Sequence, residues 1–301
     1  MGATSVQADE PFGWPGPLAE QRIMFAGAHP DDEWGVAPLL AEACIDGGAA
    51  CHFVVASEAR SFGCLLTLEL RDAEACSRIR RAEMQKSAAM FGASLEFFGW
   101  EDFFYGFNQA GMDKTIADWA AAAGGHDALV GRWMAVLQQR RPTVVFTFDP
   151  RHGSTCHPGH RAAAKLLIEA IETLPLADRP QLWLEQTDNI DSRHPSVAAA
   201  NEQSGYVAWP DAGPVQWFDA DKRLSNGHLA YDYVSAVRNL HASQYPDEAS
   251  GKLTPYATPE LRRVPLQRYT GSASGDFCSP LKIELPTFDI PGNRARFGLE
   301  E

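Results

Sequence analysis

Apolar runs and amphipathic segments alternate along the first 190 residues of the chain. Short runs rich in β-branched and aromatic residues predict strands at residues 22–28, 51–56, 95–99, 143–148 and 181–187. Longer segments with apolar residues three and four positions apart predict helices at residues 34–46, 67–91, 126–139 and 158–173. The alternation predicts an α/β fold, in which a Rossmann-like, mostly parallel sheet is covered by helices on both faces.

The pattern loosens beyond residue 190, where only a strand at 215–220 and a helix at 229–245 are predicted. Residues 1–20 are rich in Gly, Pro and Ala, so we expect an irregular lead-in. Residues 246–301 are rich in Pro, Gly, Ser and Thr, which predicts a loop-rich C-terminal extension. We therefore expect one domain at 21–245, with the C-terminal segment packed on that same domain.

The composition and net charge of the chain indicate which kinds of molecule it can bind. The chain has 45% hydrophobic and 22% charged residues, which is typical of a globular protein. Its net charge of −13 disfavours nucleic acid and anionic membranes as partners, since both need clustered Lys and Arg. No stretch approaches the roughly 18 apolar residues of a membrane-spanning helix. We expect a small-molecule partner, and the sequence leaves the oligomeric state open.

The number and spacing of the cysteines help to predict the cellular compartment of the protein. There are six, none of them in a C-x-x-C pair, and the first twenty residues show no secretory signal pattern. This usage is typical of reduced thiols, so the sequence predicts a cytoplasmic protein without disulfides.

A cluster of charge follows the first predicted strand. The segment Ala28-His-Pro-Asp-Asp-Glu33 places one imidazole and three carboxylates in five positions. Open α/β sheets carry their sites at the carboxyl ends of the strands. Two adjacent aspartates at such an end need a compensating positive charge, and a divalent metal is the obvious candidate.

A second cluster, His157-Pro-Gly-His160, follows the strand at 143–148. Loops after parallel strands meet at one edge of the sheet, so the two clusters should face each other. His29 and Asp32 are three positions apart, as are His157 and His160, and such residues share one face of a helix start. Either cluster alone fits a helix cap or a dipole contact. Their combination favours a metal site.

Histidine and carboxylate ligands suit zinc, and also iron(II), manganese or cobalt. Catalytic zinc usually takes three protein ligands and leaves one position open for water. We predict His29, Asp32 and His160 as the ligands. Asp31 then remains as general base for the activated water, and His157 as donor to the developing oxyanion or acid to the leaving amine.

These two motifs resemble those of the LmbE-like / PIG-L family of zinc-dependent N-deacetylases, over roughly residues 21–245. Members of that family remove acyl groups, mostly acetyl, from amino sugars and their conjugates. The resemblance implies the same roles for the predicted residues: metal ligands at His29, Asp32 and His160, the base at Asp31, and the oxyanion-stabilising histidine at His157.

The resemblance also implies three substrate-binding residues. Arg80 falls in the segment Ile79-Arg-Arg-Ala-Glu83, whose arginine contacts substrate in the family. Asp102 follows the third strand, where the family holds sugar hydroxyls. His241 begins the late motif His-Ala-Ser-Gln.

The chain departs from the family pattern in two places. Position 159 is Gly, whereas the family's second motif commonly reads His-Pro-Asp-His. An acid at position 159 would favour the protonated form of His157. Because this chain lacks that acid, we expect a neutral His157 unless Asp149 or another acid replaces it. The segment 57–63 also lacks the family's usual Gly-Glu pair.

The leading hypothesis is a metal-dependent hydrolase that removes an N-acyl group, with acetyl favoured, from an amino sugar or a sugar-bearing metabolite. One alternative is an amidase or acyl-exchange enzyme acting on a non-sugar natural product. Another is a metal-stabilised, non-catalytic binding module, for which Gly159 is the only support. A nucleotide-binding protein is disfavoured, because neither G-x-G-x-x-G nor a P-loop follows a strand.

Overall fold

The computed structural model describes residues 10–58, 64, 72–102, 105–186, 214–245 and 262–279. Eight strands form one sheet: β1 (Glu10–Pro11), β2 (Arg22–Gly27), β3 (Ala50–Ser57), β4 (Ser94–Trp100), β5 (Val144–Phe148), β6 (Gln181–Glu185), β7 (Gln216–Asp219) and β8 (Arg263–Arg268). The α-helices are α1 (Ala37–Leu40), α2 (Ala73–Met90), α3 (Gln109–Ala123), α4 (His126–Arg140), α5 (Gly153–Cys156), α6 (Pro158–Thr173) and α7 (Asp232–Leu240).

The strands lie in the order β1-β7-β8-β6-β5-β2-β3-β4. Strands β6, β5, β2, β3 and β4 run parallel to one another, and β1 is parallel to β7. Among the eight strands of the described residues, β8 alone is antiparallel, both to β6 and to β7. The predicted α/β fold with a mostly parallel sheet is confirmed.

The central strands β2 and β5 are buried on both faces, which explains their almost continuous apolar sequences. Phe25 faces one side of the sheet and packs on Phe53, with ring centroids 5.9 Å apart. Its neighbour Met24 faces the other side and joins the apolar layer formed with α3, α4 and α6. Helices therefore cover both faces of the sheet, and the functional loops are left at its edge.

The predicted helix at 34–46 is present but irregular. It begins with a 3₁₀ turn at Asp32–Val36, continues as α1, and ends as a π-helical turn at Ala41–Asp46. The N–H of Gly47 closes that last turn on the carbonyl of Glu42. Helices α4 and α6 have nearly their expected bounds, and α2 begins at Ala73, with residues 67–71 outside the described part of the chain. Helix α7 is shorter than the predicted 229–245, because it begins at Asp232 and ends at Leu240.

Strands β8 and β1 and helices α3 and α5 were not predicted from the pattern. Strand β8 lies within the segment expected to be loop-rich, where Pro265 interrupts the run and only Val264 and Leu266 supply buried aliphatic side chains. Strand β1 lies in the expected lead-in. Helix α3 follows an aromatic loop, and the side chain of Asn108 caps it by accepting from the N–H of Gly111.

The cysteines contradict the expectation from sequence. All six are paired, as Cys44–Cys51, Cys64–Cys76 and Cys156–Cys278. Their separations of 7, 12 and 122 residues form no motif, so the pairing depends on the fold. The cytoplasmic location stays a prediction. The free thiols that supported it are absent, because all six cysteines form disulfides. None of the described helices is long and apolar enough to cross a membrane.

Candidate metal and catalytic site

Two loops at the carboxyl edge of the sheet form the site. Strands β2 and β5 are parallel neighbours, so the loop after Gly27 and the loop after Phe148 meet at the same edge. Gly27 allows the first loop to turn back tightly, because a Cβ atom there would lie 2.9 Å from the Cβ of Asp32. The structure thus places the segments 28–33 and 157–160 face to face.

Three side-chain atoms converge in this cleft. The Nε2 of His160 lies 3.0 Å from the Nδ1 of His29 and 3.2 Å from the Oδ1 of Asp32. The same Nδ1 and Oδ1 are 3.6 Å apart. Ligands about 2.0–2.1 Å from a tetrahedral zinc ion lie roughly 3.3 Å from one another. The spacing of the trio therefore fits a single metal ion.

In two of these ligands, the side-chain atom that does not face the trio contacts the backbone. The Oδ2 of Asp32 accepts from the N–H groups of Ala28 and His29, at 2.6 and 2.8 Å, which leaves Oδ1 for an ion. The Nδ1 of His160 lies 2.8 Å from the carbonyl oxygen of Gly153, which leaves Nε2 for an ion. Such outer contacts fix the orientation of metal ligands.

The third ligand, His29, faces a carboxylate with its other nitrogen. Its Nε2 lies 3.1 Å from the Oδ2 of Asp102. Burial lowers the pKa of His29, but Asp102 and Asp32 outweigh burial and raise that pKa to about 10. The two carboxylates thus favour positive charge at this position, as expected where a cation is to be bound.

A third histidine also lies within reach. One nitrogen each from His29, His157 and His160 can be chosen so that all lie within 4.8 Å of one another. His157 begins α6, and its Nδ1 accepts from the N–H of Gly159 at 3.1 Å. The site therefore brings together the three predicted ligands and the predicted oxyanion donor.

Asp31 occupies a strained turn beside the ligands, with a φ of 113° in the left-handed region. Its Oδ1 accepts from the Nη2 of Arg80 at 2.8 Å. Burial raises the pKa of Asp31, Arg80 opposes this, and Asp32 adds to it, so the net shift is upward. An aspartate shifted in this direction is a stronger proton acceptor than an ordinary one.

The surroundings of His157 favour its neutral form. Burial lowers its pKa well below the usual value, the nearby His29 acts in the same direction, and Asp102 opposes them. Asp149 does not replace the acid missing at position 159, because its carboxylate accepts from Arg151 and Gln186 instead. Since the Nδ1 of His157 accepts a hydrogen bond, its proton lies on Nε2, which is then a donor.

The three predicted substrate residues lie at the site, but each contacts the protein. Arg80 contacts Asp31, and Asp102 contacts His29. His241 is fully buried, and its Nε2 lies 2.7 Å from the Oε1 of Glu33. Their substrate contacts stay predictions, and for His241 full burial speaks against such a contact.

Glu33, the last residue of the first charged cluster, has a structural role. The structure buries its carboxylate, which accepts from the hydroxyl of Ser87 and pairs with His241. A buried carboxylate needs such partners, because leaving the charge unpaired is costly. The apolar face of α1 that follows was the one signal that this turn is buried.

Two further residues at the site were not found from the sequence. Glu185 ends β6, is buried, and lines a small cavity together with Asp32 and His160. A carboxylate at the end of an apolar strand next to β5 was the available signal. Tyr245 follows the late histidine motif, and burial together with Asp31 raises its pKa well above the usual value.

Residues 24–171 match the family model of PIG-L, described as GlcNAc-PI de-N-acetylase. The chain contains a PIG-L (LmbE-like) domain. The predicted resemblance is confirmed, and the PIG-L segment holds every predicted site residue except His241.

Individual relatives of the PIG-L domain are distant. The probable N-acetyl-alpha-D-glucosaminyl L-malate deacetylase 2 of Bacillus cereus is 24% identical over 166 residues, which are 54% of this chain and 66% of that protein. The match thus spans slightly less than two thirds of the relative. Two solved structures share the fold. The A40926 pseudoaglycone deacetylase Dbv21 has a TM-score of 0.54 at 17% identity, covering 84% of this chain and 99% of its own. A deacetylase of teicoplanin biosynthesis has a TM-score of 0.53 at 15% identity, covering 83% and 100%.

Proposed function

We propose that this protein is a metal-dependent hydrolase that removes an N-acyl group, with acetyl favoured, from an amino sugar or a sugar-bearing conjugate. One observation carries the proposal: two imidazole nitrogens and a carboxylate oxygen lie 3.0–3.6 Å apart, with a second carboxylate beside them. The match of residues 24–171 to the PIG-L family model and the deacetylase name of the curated relative support the substrate class.

The donor set fits a divalent transition metal. Two imidazoles and one carboxylate suit zinc, and they also suit iron(II) and other first-row ions. We propose Zn²⁺ held by His29, Asp32 and His160. When bound there, the ion would polarise the amide carbonyl and lower the pKa of a water molecule.

Asp31 acts as the general base. Its Oδ1 is fixed by Arg80, and its neighbour Asp32 belongs to the ligand trio. Asp31 takes a proton from the attacking water as the C–O bond forms, and later gives that proton to the nitrogen when the C–N bond breaks. The products are a carboxylic acid and a free amine. Asp31 both accepts and returns the proton, so it ends the reaction in its starting form.

His157 stabilises the charge that develops on the amide oxygen. In its neutral form it holds a proton on Nε2, and its ring centroid lies 4.6 Å from that of His29. A donor held at this place strengthens its hydrogen bond as the oxygen becomes negative. Because the histidine need not be charged, the missing acid at position 159 does not prevent this role.

Two of the open alternatives keep the same geometry. An amidase or an acyl-exchange enzyme for a non-sugar natural product would use the same trio and the same base. A non-catalytic binding module would have no use for Asp31, whose strained turn and ion pair with Arg80 place a carboxylate beside the ligands. We therefore favour catalysis over a purely structural metal.

The test combines metal analysis with product analysis. Purified protein should contain about one equivalent of zinc or iron, and mass spectrometry should show acetate release from a panel of N-acetylated amino sugars. Non-sugar acetamides, with and without an amine acceptor, distinguish the second function class. Absence of metal binding would overturn the proposal, whereas metal binding without turnover of any amide would favour the binding module.

A further inference from the structure

Asp102 and His160 approach His29 from strands that lie on opposite flanks of β2 in the sheet. Asp102 follows β4 by two residues, and β4 is separated from β2 by β3. Its Oδ2 lies 3.1 Å from the Nε2 of His29, and its side chain is only 13% exposed. This carboxylate therefore ends on the ring edge of His29 that faces away from the ligand trio.

Gly159 borders the same ring edge from α6. A Cβ atom at position 159 would lie 3.0 Å from the Nε2 of His29, 3.1 Å from its Cε1 and 3.2 Å from the Nδ1 of His157. The backbone of Gly159 does not have a positive φ, so its conformation does not require glycine. What the missing side chain provides is room beside His29. Positions 102 and 159 thus approach one atom, and only position 102 carries an acid in this chain.

We propose that Asp102 supplies the carboxylate that orients His29, and that an acid at position 159, which would lie next to both His29 and His157, could take over this task. Asp102 is then a positioning residue. Holding the proton of His29 on Nε2 turns Nδ1 towards Asp32 and His160, and it makes that nitrogen a better donor to a metal. The inference rests on the proposed metal site, but not on the identity of the substrate.

The Nε2 of His29 and the Oδ1 of Asp102 are both buried without a well-aligned hydrogen bond among the described residues, so the 3.1 Å contact between Nε2 and Oδ2 is an ion pair. The Oδ1 of Asp102 makes no other contact of this kind. That oxygen stays available for the predicted contact with a substrate hydroxyl, so a loss of activity alone cannot separate the two roles. Metal affinity can, because a substrate contact does not change it.

The experiment compares Asp102→Asn, Gly159→Asp and the double variant Asp102→Asn/Gly159→Asp with the wild type. Glu101→Gln is the matched control, since it removes the neighbouring charge from the same loop. Zinc affinity is measured by competition with a chelator, and cobalt(II) absorption reports the geometry of the site. Thermal unfolding of the metal-free proteins checks that each variant folds.

We expect Asp102→Asn to bind zinc about 10- to 100-fold more weakly, with an altered cobalt spectrum, and Glu101→Gln to bind like wild type. The double variant should regain most of the affinity, because its new carboxylate grows from a Cβ atom next to the same nitrogen. Unchanged zinc affinity in Asp102→Asn would overturn the proposal. A folded double variant that stays as weak as Asp102→Asn would overturn the exchange between the two positions.

If the double variant does not fold, the tautomer of His29 tests whether Asp102 orients this histidine. Nitrogen NMR of the zinc-bound protein should show the His29 proton on Nε2 in wild type and a changed Nε2 resonance in Asp102→Asn. An unchanged resonance contradicts the positioning role. Failure of the wild type itself to bind zinc or cobalt would instead contradict the proposed function, so the two failures are distinguishable.

Discussion

The guanidinium of Arg80 holds Asp31 in place, with Nη2 2.8 Å from Oδ1. The same nitrogen donates to the carbonyl of Pro30, so one side chain fixes both the backbone and the carboxylate of a turn with positive φ. Both arginine and aspartate are largely buried. The base proposed for the reaction is therefore positioned by an arginine on α2.

The first prediction concerns Asp31 itself. Asp31→Asn should retain the metal, because the trio does not include Asp31, and should lower kcat about 10²- to 10⁴-fold. Steady-state kinetics on the best substrate of the panel, together with metal analysis, checks both halves. Asp113→Asn on α3 is the control for loss of a carboxylate outside the site. Retained turnover in Asp31→Asn would remove Asp31 as the base.

The second prediction separates two roles for Arg80. Arg80→Lys keeps the charge but cannot make the same two contacts with Pro30 and Asp31. If Arg80 acts through Asp31, kcat should fall about 10- to 100-fold with little change in KM. If Arg80 binds substrate, as the sequence predicts, KM should rise instead. Measuring kcat and KM separately therefore decides between the two.

The sequence was sufficient for the parts of the fold that local patterns determine. Strands β2 and β5 are buried on both faces, and their apolar runs were recognisable without a structure. Strand β8 was not, because Pro265 interrupts its pattern and its pairing with β6 and β7 depends on distant residues. Its stability comes from those partners, which a local window does not contain.

The same distinction holds at the site. That His29 and His160 lie together follows from two parallel neighbouring strands, so it was predictable. The contact between Asp102 and His29 depends on the path of the loop after β4, and no spacing rule gives it. The pair of Glu33 and His241 spans 208 residues, and the disulfide partner of Cys156 lies 122 residues away. Such contacts need the folded chain.

The third prediction is removal of the metal. A strong chelator should abolish activity, and added zinc should restore it, because the proposed reaction needs the ion that His29, Asp32 and His160 would hold. Zinc held at about 1,000 times its Kd stabilises the folded state by roughly 4 kcal/mol. Differential scanning calorimetry should therefore show a Tm lower by about 10 °C in the metal-free protein. His160→Ala should show no zinc-dependent change in Tm.

The fourth prediction concerns the disulfide next to the site. Cys156 directly precedes His157, has a φ of 60°, and is bonded to Cys278 in the C-terminal segment. A bond that closes a loop of this length stabilises the folded state by about 5 kcal/mol in the chain-entropy model. Replacing both residues by Ser should lower the free energy of unfolding and weaken zinc binding through the displaced His157–His160 turn.

The control for that variant is the disulfide Cys44–Cys51, which closes a loop of only 7 residues and lies away from the ligands. Replacing this pair by Ser should leave zinc affinity unchanged. Treatment of the wild type with a phosphine reductant should reproduce the effect of the Cys156/Cys278 variant. Equal zinc affinity in the two double-serine variants would show that the bond does not position the site.

The last prediction concerns stability and pH through Asp149. This carboxylate is fully buried and accepts from both the side chain and the N–H of Arg151, and from Gln186. Burial raises its pKa, but the hydrogen bonds and charge of Arg151 outweigh burial and lower it. Because the folded pKa lies below the unfolded one, Asp149 stabilises the protein above the unfolded pKa of about 3.9. That contribution is lost as the pH falls through the folded pKa.

Asp149→Asn should therefore lower the free energy of unfolding by about 3 kcal/mol near pH 7, since Arg151 is left without its buried counter-charge. The difference from wild type should shrink as the pH falls below about 4, because the Asp149 carboxyl of the unfolded chain then takes up a proton while that of the folded protein stays ionised. Urea unfolding at a series of pH values measures both effects, with the exposed Asp178→Asn as control. A difference that stays constant over this range would mean that Asp149 acts through packing and hydrogen bonding rather than through its charge.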